Sequence, residues 1–277
     1  MHKKIFIGLF YFLFFLSVSY PQYNIEFNET KGSLDLTDKY KLDFGRYDGY
    51  EISFYQGEAV NLIVQSDSFL PKLFFVSPKG EIFKQSADSR SNIASIISKI
   101  PESGNWLLYI VGDSSSIGGY TFQYAFASAN SLRYQGDSTF CSILHYLTAH
   151  SKAYFLLLEN SYDPDYQLIK FPKSIDSFLD EETGNYISQV YGGNDFAEAK
   201  NKFDYQCDEI KRCLDGNWKQ NNIDWYMEKD YKISETLFVE TSNEIGRVVL
   251  VRFFDFRNSR EKFLDDFVIN VELARTK

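Results

Sequence analysis

The alternation of apolar and polar positions is clearest between Ile100 and Phe126, IPESGNWLLYIVGDSSSIGGYTFQYAF. Past Pro101, Ser103 and Gly104, the residues Trp106, Leu108 and Ile110 alternate with Leu107, Tyr109 and Val111. A run apolar on both faces predicts a strand buried on one side and partly covered on the other. Gly112 to Gly119 is polar and Gly-rich and reads as a loop. Tyr120, Phe122, Tyr124 and Phe126 then recur at period two, which sets an aromatic row on one face of a second strand.

The same period runs upstream. Gly32 to Leu36 and Lys41 to Phe44 read as short strands, and Asp48-Gly49 marks a turn. Tyr50, Ile52 and Phe54 form a half-buried strand, Gln56-Gly57-Glu58 turns the chain, and Val60, Leu62 and Val64 resume the alternation. Leu73 to Val76 is a short buried run. Pro78-Lys79-Gly80 has tight-turn chemistry, Pro presetting φ and Gly allowing φ > 0. Ile82 and Phe83, then Ile93 to Ile100, complete the set. Strands of this length, spaced by Gly and Pro turns, predict an all-β sandwich or jelly roll.

After Ser128 to Gly136, small and polar and read as a linker, the period changes. Asp137 or Ser138 is placed to cap a helix. Phe140, Ile143, Leu144, Leu147, Tyr154, Phe155 and Leu158 fall on one helical stripe. Asn160 to Asp165 reads as a turn, with strands over Tyr166 to Phe171 and Tyr186 to Tyr191. Asp195 caps a second helix whose stripe is Phe196, Ala199, Phe203, Cys207, Ile210 and Leu214, stopped by Gly216. Strands follow at Trp225 to Tyr231, Leu237 to Thr241, Arg247 to Phe256 and Phe267 to Leu273, with Val248 to Phe254 central. Two helices on one face of an antiparallel sheet make an α+β domain.

His2, Lys3 and Lys4 precede an apolar stretch, Ile5 to Val18, with small residues at Ser17 and Ser19. This reads as a signal peptide, residues 1–19, since the run is short of the roughly 18 to 20 residues that span a bilayer. The expected mature chain has two domains, residues 20–130 and 131–277, is secreted or periplasmic, and carries no later membrane span. The net charge of -9, without a basic stripe, excludes a nucleic-acid binder.

Gly32-Ser33-Leu34, Asp48-Gly49-Tyr50-Glu51-Ile52-Ser53-Phe54 and Gln56-Gly57-Glu58-Ala59-Val60 follow a familiar order. It continues through Leu73 to Val76, Pro78-Lys79-Gly80, Pro101-Glu102-Ser103-Gly104-Asn105-Trp106 and Gly118-Gly119-Tyr120. Residues 24–127 resemble the bacterial pre-peptidase C-terminal domain. The resemblance implies a small β-sandwich of the kind appended to secreted enzymes, often proteases, and linked to substrate or matrix binding. Family members usually follow a catalytic domain, whereas here the module comes first and no protease domain stands beside it. Some members bind calcium. Asp35, Asp38, Asp43 and Asp48 lie near strand ends and are the calcium candidates, although they lack a dense D-x-D-x-D loop.

Other chemistry is sparse. Cys141 and His145 are one helical turn apart, as a thiolate pair would be, but no elbow turn or orienting Asn or Asp accompanies them. His145 and His150 point roughly 140° apart on a helix, and with Cys207 and Cys213 they give no zinc spacing. Asp180, Glu181 and Glu182 read as a solvated hairpin loop rather than a glycosidase pair. No G-x-S-x-G occurs. Trp218 and Trp225 flank a polar loop, Lys219 to Asp224, and are the binding candidates, with core packing as the bland alternative. Three cysteines leave one over. Cys207 and Cys213 sit about 9 Å apart in helix rise alone, so a bridge must use Cys141, and Cys213, on a helix flank, is the expected partner. The pattern favours an exported, non-catalytic binding or accessory protein whose partner is a protein or polysaccharide. The alternatives are a secreted hydrolase with its site in the second domain, or an inhibitor or immunity-type protein.

Overall fold

The computed structural model describes residues 23–41, 45–87, 91–158, 168–180, 183–241, 246–260 and 263–275. Residues 1–19, Asp43, the expected turn over 160–165, the first two residues of the expected strand at 166–171, Glu181 and Glu182 lie outside the described residues. The chain is mostly antiparallel sheet, with three helices among the described residues.

The first nine strands make two sheets. One has the order β1 (Ile25–Leu34), β9 (Gly118–Ala127), β4 (Ala59–Gln65), β7 (Ile93–Lys99). The other runs β2 (Lys39–Lys41), β3 (Gly45–Phe54), β8 (Gly104–Gly112), β5 (Lys72–Val76), β6 (Ile82–Ala87). The strand–turn–strand of the sequence is β8 and β9, and the turn carries the chain from one sheet to the other. Trp106, Leu108 and Ile110 of β8 and Tyr120 and Phe122 of β9 enter one buried cluster with Val60, Leu62, Leu73 and Phe75. Trp106 stacks on Phe75 with ring centroids 4.6 Å apart, and its indole N–H donates to the Glu102 carbonyl at 3.2 Å. Burying such rings is the largest apolar contribution available to a strand. Gly118 sits at φ 138°, where a Cβ would come within 2.2 Å of Ser68 Cβ, so the turn requires glycine there. β1 begins at Ile25, ahead of the expected start at Gly32, because it pairs along the whole of β9.

The later strands form one six-stranded sheet, β10 (Asp176–Leu179), β11 (Tyr186–Gly193), β15 (Phe267–Arg275), β14 (Arg247–Asp255), β13 (Tyr231–Glu240), β12 (Trp218–Glu228). β14 lies inside this sheet, as its apolar run requires. Helices α2 (Phe140–Ser151) and α3 (Phe196–Cys213) share a buried cluster with the sheet face carrying Val249, Val251, Phe253, Ile269, Val271 and Leu273. Asp195 caps α3 by accepting from the Glu198 N–H at 2.9 Å.

Several local expectations differ. The turn expected at Asp48-Gly49 lies inside β3, and the strand expected over Trp225 to Tyr231 spans the end of β12, a turn and the first residue of β13. Thr139, not Asp137 or Ser138, caps α2; Asp137 instead accepts from the Thr139 hydroxyl at 2.5 Å. α2 ends at Ser151, and Tyr154 and Phe155 take left-handed φ of 49° and 57°, so Phe155 and Leu158 reach the core from a turn rather than a helical stripe. Leu168 to Phe171 is not a strand, while β10 was too short to show a period. Lys219 to Asp224 is strand rather than loop, since an exposed edge needs no apolar alternation.

The expected linker is a packed seam. Ala129–Leu132 forms the helical turn α1, and Ser131 is buried. The Asn24 N–H donates to Ser131 Oγ at 2.9 Å. Ile25, Ala59, Ala125 and Ala127, on the outer face of the four-stranded sheet, cluster with Ala149, Ala153 and Leu157. Small side chains on both sides let the backbones approach closely.

Candidate functional site

The concave feature nearest a sequence candidate is a cleft of about 410 Å³ between α3 and β12. β12 is eleven residues long, ends the six-stranded sheet, and is exposed along nearly its whole length. Its only ladder partner among the described residues is β13, which leaves the backbone groups of its outer edge unpaired. Between the pairs Ile223↔Glu235 and Tyr226↔Ile233, β12 carries two residues opposite one on β13. Such a bulge re-aims side chains, and here both Asp224 and Trp225 line the cleft. Trp225 is 40% exposed and meets Phe253 edge-on at 4.9 Å and Phe196 at 6.4 Å.

The walls are polar. Gln220 Nε2 and the Thr236 hydroxyl both donate to Asn222 Oδ1, at 3.1 and 3.2 Å. From α3, Lys200 pairs with Asp204, while Asp208 and Asp224 form no ion pair among the described residues. The Cys207 thiol lies in the cleft wall, and burial pushes it up to about 11. A thiol so disfavoured as thiolate is a poor nucleophile. Aromatic edge, amide side chains, surplus carboxylate and unpaired strand edge together suit binding of an extended chain.

Trp218, the other binding candidate, is placed differently. Its ring is partly buried against the core under α2, and the Arg247 guanidinium lies 5.5 Å from its centroid. Arg247 is itself held by a bidentate pair to the buried Glu240 and by the Thr148 carbonyl at 3.3 Å. Trp218 thus packs on the core, whereas Trp225 stands half-exposed in the cleft.

Cys141, at the start of α2, and Cys213, at the end of α3, form a disulfide with Cα atoms 5.0 Å apart. Its sulfur so engaged, Cys141 offers no thiolate to His145, whose imidazole burial holds below the usual range. His150 is wholly buried at the seam. Asp35 Oδ1 accepts from the Thr37 N–H and hydroxyl, and Asp38 Oδ2 accepts from the Asp35 N–H at 2.5 Å. Asp48 instead accepts from the Tyr120 hydroxyl at 2.5 Å. Among the described residues no group of three His, Cys, Asp or Glu gathers as a metal's ligand set. Asp180 caps its own turn, accepting from the Thr183 N–H and hydroxyl.

Asn222, Thr236 and Asp208 were not singled out by the sequence. They meet only through the sheet register and the lie of α3 across it. The one local signal was the polar tract beside Trp225.

No helix among the described residues is long and apolar enough to cross a membrane. No protein-family model matches the chain, and no curated protein does. Among the solved structures that resemble parts of it are the following three. The periplasmic inhibitor of g-type lysozyme from Aeromonas hydrophila is 14% identical, with TM-score 0.27, over 36% of this chain and 84% of its own. The pre-peptidase C-terminal domain of the Bacillus anthracis collagenase is 14% identical, with TM-score 0.28, over 35% of this chain and 87% of its own. A chain of the disulfide-linked pili of Bacillus endospore appendages is 11% identical, with TM-score 0.23, over 40% of this chain and 93% of its own.

Proposed function

We propose that this is an exported binding protein that takes up a protein partner along the β12 edge and the cleft beside α3. In this reading a signal peptide, residues 1–19, precedes two units. Residues 20–130 are a β-sandwich of the pre-peptidase C-terminal kind, and residues 131–277 are the α+β unit that carries the site. The observation behind the proposal is β12 itself, an eleven-residue edge exposed along its length beside a half-exposed tryptophan. Proteins usually shorten, cover or charge such edges, because an unpaired strand templates further pairing. Here Lys219, Asp224, Glu228 and the bulge restrain that tendency without removing the edge. An edge kept long and solvent-facing suits strand addition, with backbone bonds supplying affinity and the cleft supplying selectivity.

The test is site-specific photocrosslinking in the full chain, with the reactive residue at Asn221 on β12 or, as control, at Lys84 on the β6 edge. Native envelope or medium should yield a discrete protein adduct from Asn221 that Trp225→Ala diminishes. Equal adducts from both edges, or a glycan adduct insensitive to Trp225→Ala, would overturn the reading.

A further inference from the structure

Resting on the binding role of β12 proposed above, we infer that its occupant is an extended segment of a basic partner, with an Arg or Lys side chain seated in the cleft against Trp225, Asp208 and Asp224. A strand added to an edge points alternate side chains to opposite faces of the sheet. On the helix side those side chains enter the cleft. On the other side they meet Asn221 and Tyr226, which pair with Leu237 and Ile233 on that face. The two sides therefore ask for different partners.

The cleft side asks for a cation. Lys200 is neutralised by Asp204 at the cleft wall. Asp208 and Asp224 are exposed and stand without an ion-pair partner among the described residues. Trp225, exposed at 40%, offers its π surface at the same place, and tryptophan is the strongest aromatic partner for a cation. A guanidinium or ammonium satisfies all three groups at once. A carboxylate in the same position meets two like charges and is rejected, which is how an edge site selects. The remaining polar walls are already engaged, Gln220 and Thr236 with Asn222, and Glu235 with Arg252. The open side, where Tyr226 of β12 stands beside Ile233 and Leu237 of β13, takes apolar side chains. The expected segment therefore alternates cationic and apolar residues. The chain's net charge of -9 draws such a partner at long range, an effect that weakens with salt.

The experiment uses the full chain and three synthetic eleven-residue peptides, followed by fluorescence anisotropy. One alternates Arg with Val, the second Glu with Val, and the third is the Arg–Val peptide N-methylated at alternate amides. The Arg–Val peptide should bind about tenfold or more tighter than the Glu–Val peptide, consistent with one or two charge contacts. N-methylation should abolish binding, and Trp225→Ala should weaken it. The exposed, shape-conserving pair Asp208→Asn and Asp224→Asn should narrow the Arg-to-Glu gap to below threefold. Equal binding of both charges, lost on N-methylation, overturns the cation preference and leaves the edge reading standing. Arg–Val binding indifferent to N-methylation and to the Asn substitutions is general attraction to an acidic protein and overturns the inference. Absence of peptide binding together with equal crosslinking from Asn221 and Lys84 removes both.

Discussion

His150 Nε2 stands 2.9 Å from the Ser131 carbonyl oxygen, deep in the seam between the first sheets and α2. A carbonyl only accepts, so Nε2 carries the hydrogen and Nδ1 is the bare nitrogen. Nδ1 is buried without a partner. Protonating it places a charge in a site with no exposed surface, and burial pushes the imidazole down to about 4, the Ser131 bond opposing only in part. The unfolded chain titrates near the ordinary imidazole value, so between about pH 6.5 and 4 the unfolded state binds more protons than the folded one. Stability from this group is present above that window and lost as pH falls through it. The loss is on the order of 3 kcal/mol by pH 4. Urea unfolding of the wild type and of His150→Gln at pH 7 and pH 4.5 checks this. The variant should be less sensitive to acid, and parallel pH dependence would reject the assignment.

The same seam bears on unfolding. Asn61 of β4, 2% exposed, donates through Nδ2 to the Leu156 carbonyl at 3.1 Å, across 95 residues of sequence. With the alanine-rich cluster around it, this couples the early sheets to the turn after α2. A chain carrying Trp218→Phe and Trp225→Phe reports through Trp106 alone, which lies in the first core. Its fluorescence transition in urea should coincide with that of far-ultraviolet circular dichroism. Two separated transitions would mean that the seam opens before either core.

The strand pattern of the first half was legible because its side chains obey one rule, apolar toward the other sheet. Trp106, Leu108 and Ile110 follow it, and so do Tyr120 and Phe122. α3 was legible through Asp195 and its stripe. The seam was not, because Ala59, Ala125, Ala149 and Ala153 carry too little hydrophobicity to register as a core. β12 was legible only at its end, from Trp225, for the converse reason: an edge strand without a buried face has no period to mark where it starts. Trp225 drew attention as a residue, but its companions Asp208 and Thr236 are brought to it by tertiary placement.

The disulfide closes a loop of 72 residues between the start of α2 and the end of α3. By the chain-entropy estimate it contributes about 4 kcal/mol. Reducing it, or replacing both members with Ala, should lower the urea midpoint accordingly. The thiol left, Cys207, should alkylate slowly, since at pH 8 only about one in a thousand is thiolate for a group held at about 11. Iodoacetamide labelling of the native chain at pH 8, followed by peptide mapping, checks both points. Fast labelling of Cys207, or a bridge that includes it, would contradict the arrangement.

Trp218 and Trp225 sit on one strand, yet their truncations should act on different quantities. Trp218 packs on the core under the Arg247 guanidinium, and Arg247 is tied to buried Glu240. Trp218→Ala leaves a void beside that pair and lets water reach it. For a partly buried ring the expected cost is roughly 2 kcal/mol, below the 3–5 typical of full burial. Binding at the cleft should persist in the Trp218→Ala chain while it remains folded, because the ring does not line the cleft. Trp225, by contrast, keeps 40% of its surface in solvent and meets Phe253 by an edge. Trp225→Ala should cost about 1 kcal/mol of stability or less, since little area leaves the core. Its effect should fall on partner capture, where an exposed aromatic anchor can contribute 2 kcal/mol or more. The two variants are measured side by side, by urea unfolding and by crosslink yield from Asn221. Separation of the two readouts supports β12 as the binding edge. A Trp225→Ala chain that captures its partner as well as the wild type does would remove Trp225 from the site, and the cleft with it.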